Sequence, residues 1–240
     1  MSLLILIALA AAPSKPSIDG LDKPKKVVTA KLGKSELAAG DVTVRCTDLG
    51  LKMLVEIQDP GLIGVRDAWL KKKNGDALPP CDGNADDDVI HLEGLNGFGA
   101  VEGVRGDLIF ATSADHFGDR AGLRVFHAVT GELLLDVERS VQKPASVRVD
   151  GPSVWLRYHE ALPATCDPLG QKAEACWEEL KQNAQIPADL KLKAPPCDAK
   201  FKAAKVAAGR SLLAVPVEVD LLAPKTKKFL PGEATCDVAP

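Results

Sequence analysis

The chain has 240 residues, 46% of them hydrophobic and 26% charged, with 30 basic against 33 acidic side chains and a net charge of −3. This is a globular composition, long enough for one core or two small ones, and it excludes overall disorder. No basic stripe with interleaved aromatics is present, so nucleic acid is set aside as a partner.

Residues 3–12, LLILIALAAA, form an apolar run too short to span a bilayer and rich in small residues at its end, the form of a signal-peptide core and cleavage region. Only Met1 and Ser2 precede it, so the usual basic start is missing. The expectation is a signal peptide over 1–12, export to the periplasm or beyond, and no transmembrane segment after cleavage. The first cysteine is Cys46, too far from the cleavage region for a lipid-anchored lipoprotein. Residues 13–26 are polar and rich in proline and lysine and read as a flexible leader, followed by a single mainly-β domain over 27–240.

Strands are predicted at Val27–Ala30, Val42–Thr47 and Gly64–Leu70, the last carrying Trp69. Asp48–Gln58 fits a helical face or a strand equally. Lys71-Lys72-Lys73 reads as a solvated hairpin tip before the Asn74-Gly75 turn. Cys81 to Glu93, CDGNADDDVIHLE, is the most suggestive run for chemistry. A Ca²⁺ ion takes six to eight oxygens from a loop that wraps it. Asp82, Asn84, Asp86, Asp88 and Glu93 fall at positions 1, 3, 5, 7 and 12 of an EF-hand loop, which this run resembles. Position 6, which needs glycine, holds Asp87, and Leu78-Pro79-Pro80 cannot form an entering helix. The run therefore predicts either a solvated acidic turn or a structural Ca²⁺ loop of another kind. The glycine-rich stretch from Gly94 to Val104 matches no phosphate-binding loop.

From Gly106 to Val137 the strand and turn signals agree best. Asp107–Ala111, Leu123–Ala128 and Leu133–Val137 are three short antiparallel strands, with Gly131 supplying the positive φ of the second turn. This meander resembles one blade of a β-propeller. Gly64 to Leu78 echoes Gly122 to Leu134, as a partial duplication would. Ser146–Val149 and Val154–Tyr158 flank the Asp150-Gly151-Pro152 turn as a hairpin, with Val154, Trp155 and Tyr158 in the sheet or at its rim. Pro168 to Asn183 is the one amphipathic helix predicted: Asp167 caps it, and Leu169, Ala173, Cys176, Trp177 and Leu180 make its apolar stripe. Residues 166–240 read as a disulfide-stapled excursion. Ser211–Leu222 is its final strand, with Pro216 placing it at an edge or a bulge.

The six cysteines, Cys46, Cys81, Cys166, Cys176, Cys197 and Cys236, are an even set in a chain read as exported, which favours three disulfides of open connectivity. No Cys-x-x-Cys pair suggests redox or zinc chemistry. The four histidines, His91, His116, His127 and His159, show no metal-binding spacing. His116 between Asp115 and Asp119 is either a polar surface loop or a candidate metal or acid–base group. Neither Ser113 nor Ser153 lies in a nucleophile elbow. The general aspect resembles uncharacterised bacterial secreted or periplasmic proteins. The fold expected is mainly β, an antiparallel meander with propeller-like or sandwich character plus the one helix. The first functional reading is a non-enzymatic binding or structural protein of the cell envelope, with a protein, glycan or other envelope ligand held by loops. The alternatives are a hydrolase with a carboxylate or histidine site and a calcium-stabilised adhesion protein.

Overall fold

The computed structural model describes residues 18–86, 88–113, 120–162, 166–169, 172–204, 211–222 and 226–238. The expected signal peptide, residues 13–17 of the leader, Asp87 and the His116 loop lie outside these residues.

Seventeen strands and two helices make up the described chain. The first strands are β1 (Ile18–Asp19), β2 (Val27–Lys34), β3 (Asp41–Asp48), β4 (Lys52–Gln58), β5 (Val65–Lys72) and β6 (Ile90–His91). The meander follows as β7 (Gly99–Arg105), β8 (Leu108–Ser113), β9 (Arg120–His127) and β10 (Leu133–Ser140). Next come β11 (Ala145–Asp150), β12 (Ser153–Leu162), α1 (Ala173–Asn183), β13 (Leu192–Lys193) and α2 (Cys197–Ala204). The chain closes with β14 (Ser211–Asp220), β15 (Lys227–Phe229), β16 (Gly232–Glu233) and β17 (Thr235–Val238).

The fold is mainly β, as the sequence predicts. Strands β2 to β6 form a five-stranded antiparallel meander. A ten-stranded sheet runs β1-β11-β12-β10-β9-β8-β7, with β14 on the other edge of β12 and β15 and β17 side by side on β14. This large sheet curls into a nearly closed barrel. Its seam is strapped by residues 18–22: Ile18 and Asp19 pair in parallel with Ala145 and Ser146, and Asp22 bridges to Val104 of β7. The Asp22 carboxylate then accepts from Arg105 at 2.6 Å and from the Gly106 N–H at 2.9 Å. Part of the expected leader is thus a structural strap.

Alternation along the strands divides the apolar residues into three layers. Leu108, Phe110, Leu123, Val125, Leu156, Tyr158, Val215 and Val217 fill the concave side of the large sheet, where Trp177 and Leu180 of α1 and Phe201 of α2 join them. Ile109, Ala111 and Phe126 point the other way and meet Leu54, Ala68 and Leu70 of the five-stranded sheet. The outer face of that sheet, Val44, Met53, Val55 and Trp69, is covered by Leu78, Cys81 and Val89 from the connecting segment. The disulfides are Cys46–Cys81, Cys166–Cys176 and Cys197–Cys236, so no cysteine is free. Full pairing fits an oxidising, extracellular or periplasmic environment. No helix among the described residues is long and apolar enough to cross a membrane.

Several local expectations change. Asp48–Gln58 resolves to a turn and β4, because Met53, Val55 and Ile57 face one apolar layer and Leu54 another, a period of two. The upstream echo fails after β5, where Asn74 and Ala77 make one bridge and no return strand follows directly. Lys71 and Lys73 are buried rather than solvated, and only Lys72 of the three is exposed. Helix α1 begins at Ala173, since Asp167 spends its carboxylate on the Leu169 N–H, and α2 was not foreseen. Pro216 sits in an interior strand. It is tolerated because β17 pairs residues 211–214 and β15 pairs 217–219, leaving a gap between them where no ladder needs the missing N–H.

Candidate functional site

The hairpin turns at one end of the two packed sheets surround a groove of about 570 Å³. Leu49, Gly50 and Leu51 come from the β3–β4 turn and Gly75 and Asp76 from the turn after β5. The β7–β8 turn gives Gly106 and Asp107, and the β9–β10 turn gives Ala128 and Val129. Lys25, Lys52 and Lys73 complete the wall.

Asp48 organises this end. Its Oδ1 accepts the Gly50 N–H at 2.8 Å, an Asx turn that lets the chain reverse, and the Lys73 ammonium at 2.8 Å. Burial would raise the Asp48 pKa, but Lys73 and the Gly50 amide outweigh it and hold the carboxyl below its ordinary range. Lys52 is held differently: its Nζ donates to the carbonyls of Ala128 at 2.7 Å and Val129 at 3.1 Å, tying the small sheet to the β9–β10 turn of the large one. Burial lowers its pKa, opposed by Asp107. Against these fixed polar groups stand exposed apolar side chains, Leu51 at 83% and Val129 at 50% exposure.

A second cleft, of about 450 Å³, lies on the outer face of β9 and β10. Arg124 pairs with Asp136, its direct cross-strand partner, at 3.0 Å, and Arg120 reaches Glu138 diagonally at 3.1 Å. The Arg124 guanidinium stacks 4.0 Å above the Phe98 ring and donates to the Gly94 carbonyl. Gly122 is the floor, since a Cβ there would stand 2.7 Å from the Phe98 ring. Among the described residues each carboxylate of this cleft is neutralised by its own arginine, and none that lines either cleft is a histidine.

The residues of the predicted calcium run are placed as follows. Asp82 closes an Asx turn on the Asn84 N–H at 3.1 Å, and Asp82 and Asp86 lie 3.7 Å and 3.2 Å from the buried Lys71 ammonium. Asp88 is exposed, and Glu93 is exposed beyond β6. Among the described residues no group of three or more His, Cys, Asp or Glu gathers as a metal site would require. His91 is exposed beside Asp67, and His127 accepts from the Val129 N–H at 3.3 Å in the hairpin turn. His159 and Glu160 point to opposite faces of β12, as alternation predicts. Burial, with Lys143 and Arg157, lowers the His159 pKa to about 4, while Glu160 accepts from Tyr158 at 3.1 Å and Lys227 at 2.8 Å.

Neither groove nor cleft was foreseen. Asp48-Leu49-Gly50 carried a local turn signal, but nothing in sequence joins turns at 50, 75, 106 and 129.

No family model matches the chain, and no curated protein or solved structure is significantly similar to it.

Proposed function

We propose that the chain is an exported, non-enzymatic binding protein of the bacterial cell envelope whose ligand seats among the hairpin turns. The observation that carries this is the groove of about 570 Å³ contributed by four turns of both sheets, in which exposed Leu51 and Val129 stand beside polar groups already fixed by hydrogen bonds. Ligand sites of binding proteins are concave and largely apolar with a few placed polar groups, carried on loops above a rigid scaffold. Three disulfides support the exported setting. A hydrolase centred on the β9–β10 cleft would need a carboxylate free to move a proton, and there Asp136 and Glu138 are each engaged by an arginine.

The test is an amide-resolved NMR titration of the oxidised protein with muropeptides and with lipopolysaccharide fragments. Perturbations should cluster at Gly50, Leu51, Gly75, Gly106 and Val129 and be lost in Leu51→Asp. Perturbation at Phe98, Arg120 and Glu138 with conversion of the added compound would instead establish an enzyme and end the binding reading.

A further inference from the structure

A different surface carries an independent inference. The convex face of β11, β12, β14 and β15 alternates with the buried face and carries Arg148, then Trp155, Arg157 and His159, then Pro216, Glu218 and the buried Asp220, then Lys228. The registers Arg148↔Trp155, Arg157↔Glu218 and Glu218↔Lys228 fix these side chains in adjacent rows. Trp155 is half-buried, whereas Trp69 and Trp177 are buried at 1% and 5% exposure. Two cations reach its ring from strands on either side: the Arg148 guanidinium carbon at 5.3 Å and the Lys228 ammonium at 4.6 Å from the centroid. Such stacking orders long side chains that otherwise lose rotamer freedom on binding.

The charge on this face is unbalanced. Arg148 is compensated by Asp150 at 3.0 Å and Glu218 at 3.3 Å. Lys143, Arg157 and Lys228 are exposed and have no ion-pair partner among the described residues. Four cations therefore share this face with three carboxylates, Asp150, Glu218 and Asp220, and three of the four cations are left without an ion-pair partner among the described residues, in a chain whose net charge is −3. The positive field is felt at His159, where Lys143 and Arg157 add to burial in disfavouring the imidazolium.

We propose that this face binds an anionic polysaccharide, its carboxylates taken by Arg157, Lys228 and Lys143 and its sugar rings lying against Trp155. The residues run in rows across four adjacent strands, which suits a chain ligand rather than a small molecule, and no enclosed pocket is required. An aromatic ring beside ordered cations matches a polymer that alternates apolar sugar faces with carboxylates. A membrane surface would call for several large apolar side chains to insert, and the rows named above hold one, Trp155.

The experiment titrates the oxidised full chain with hexagalacturonate, following tryptophan fluorescence at about 20 mM and about 150 mM salt. A saturable fluorescence change is expected, weakened at the higher salt and absent in Trp155→Phe, which keeps the stacking platform. Binding of Trp155→Phe measured by calorimetry should persist, while Arg157→Ala/Lys228→Ala should bind at least about tenfold more weakly with unchanged melting temperature. Equal affinity for polyglutamate would reduce the face to a nonspecific charge patch and overturn the proposal. So would binding confined to phosphatidylglycerol vesicles, no saturable response to hexagalacturonate, or an unaltered affinity in the double variant.

Discussion

Two buried carboxylates of the small sheet have opposite consequences for pH. Asp48 is bound to Lys73 and to the Gly50 amide, and its folded pKa lies below the ordinary 3.8. It contributes stability that is complete above the unfolded pKa and lost as pH falls below it. Asp48→Asn should therefore cost about 3–5 kcal/mol at pH 7 by leaving the Lys73 charge buried and unpaired, and should flatten the loss of stability below about pH 4. The double replacement Asp48→Asn/Lys73→Met should recover much of that cost, as urea titrations across pH would show. Glu56 is wholly buried between the sheets, and one of its oxygens has no hydrogen-bond partner. The other accepts the Val101 N–H at 3.1 Å, at the bulge where β7 breaks its ladder with β8. Burial raises its pKa above 4.5 despite Val101 and Arg45. The sign reverses: stability is complete below the unfolded pKa and falls as pH rises toward the folded one. Glu56→Gln keeps the Val101 bond and removes the buried charge, so it should raise stability at pH 8 by about 1–3 kcal/mol and have little effect at pH 4.

Among the elements, hairpins were legible and their neighbours were not. The turns at Gly131 and Gly151 carry their own conformational signal, with φ of 75° and 58°, so β9–β10 and β11–β12 fell close to their predicted bounds. Lys71 and Lys73 were misread because their burial depends on Asp82, Asp86 and Asp48, which approach only after the sheet forms. Strap β1 was hidden in a polar, proline-rich context. Gly20, at φ 86°, carries it past β11 so closely that a Cβ would stand 2.2 Å from the Val147 carbonyl oxygen. Gly20→Ala should cost about 1–3 kcal/mol in backbone strain and expose the Ala145 and Ser146 amides to hydrogen exchange. The disulfides rank by the chain they close. The sequence separations are 35 for Cys46–Cys81, 39 for Cys197–Cys236 and 10 for Cys166–Cys176. Loop-closure entropy then gives about 4 kcal/mol for each of the first two and about 3 kcal/mol for the third. Paired Cys→Ala variants, compared by denaturant unfolding, should follow that order.

At the scale of the molecule, the groove belongs to neither sheet alone, which is why no stretch of sequence announced it. Its walls meet because the middle apolar layer holds the two sheets together and Lys52 fastens one to a turn of the other. That layer includes Leu54, Leu70, Ile109 and Phe126, all buried to 0–1% exposure, so neither sheet can unfold without exposing the other's apolar face. The two sheets should therefore melt as one cooperative unit despite their separate hydrogen-bond ladders. Calorimetry of the oxidised protein should show one transition with equal calorimetric and van't Hoff enthalpies. Phe126→Ala removes a large ring from the shared layer and should cost about 3–5 kcal/mol. In a single unit that loss moves the whole transition downward, with the groove amides of Gly50 and Val129 losing protection together. Two separable transitions, with only one shifted by Phe126→Ala, would mean that the sheets are independent and that the groove can open by their moving apart.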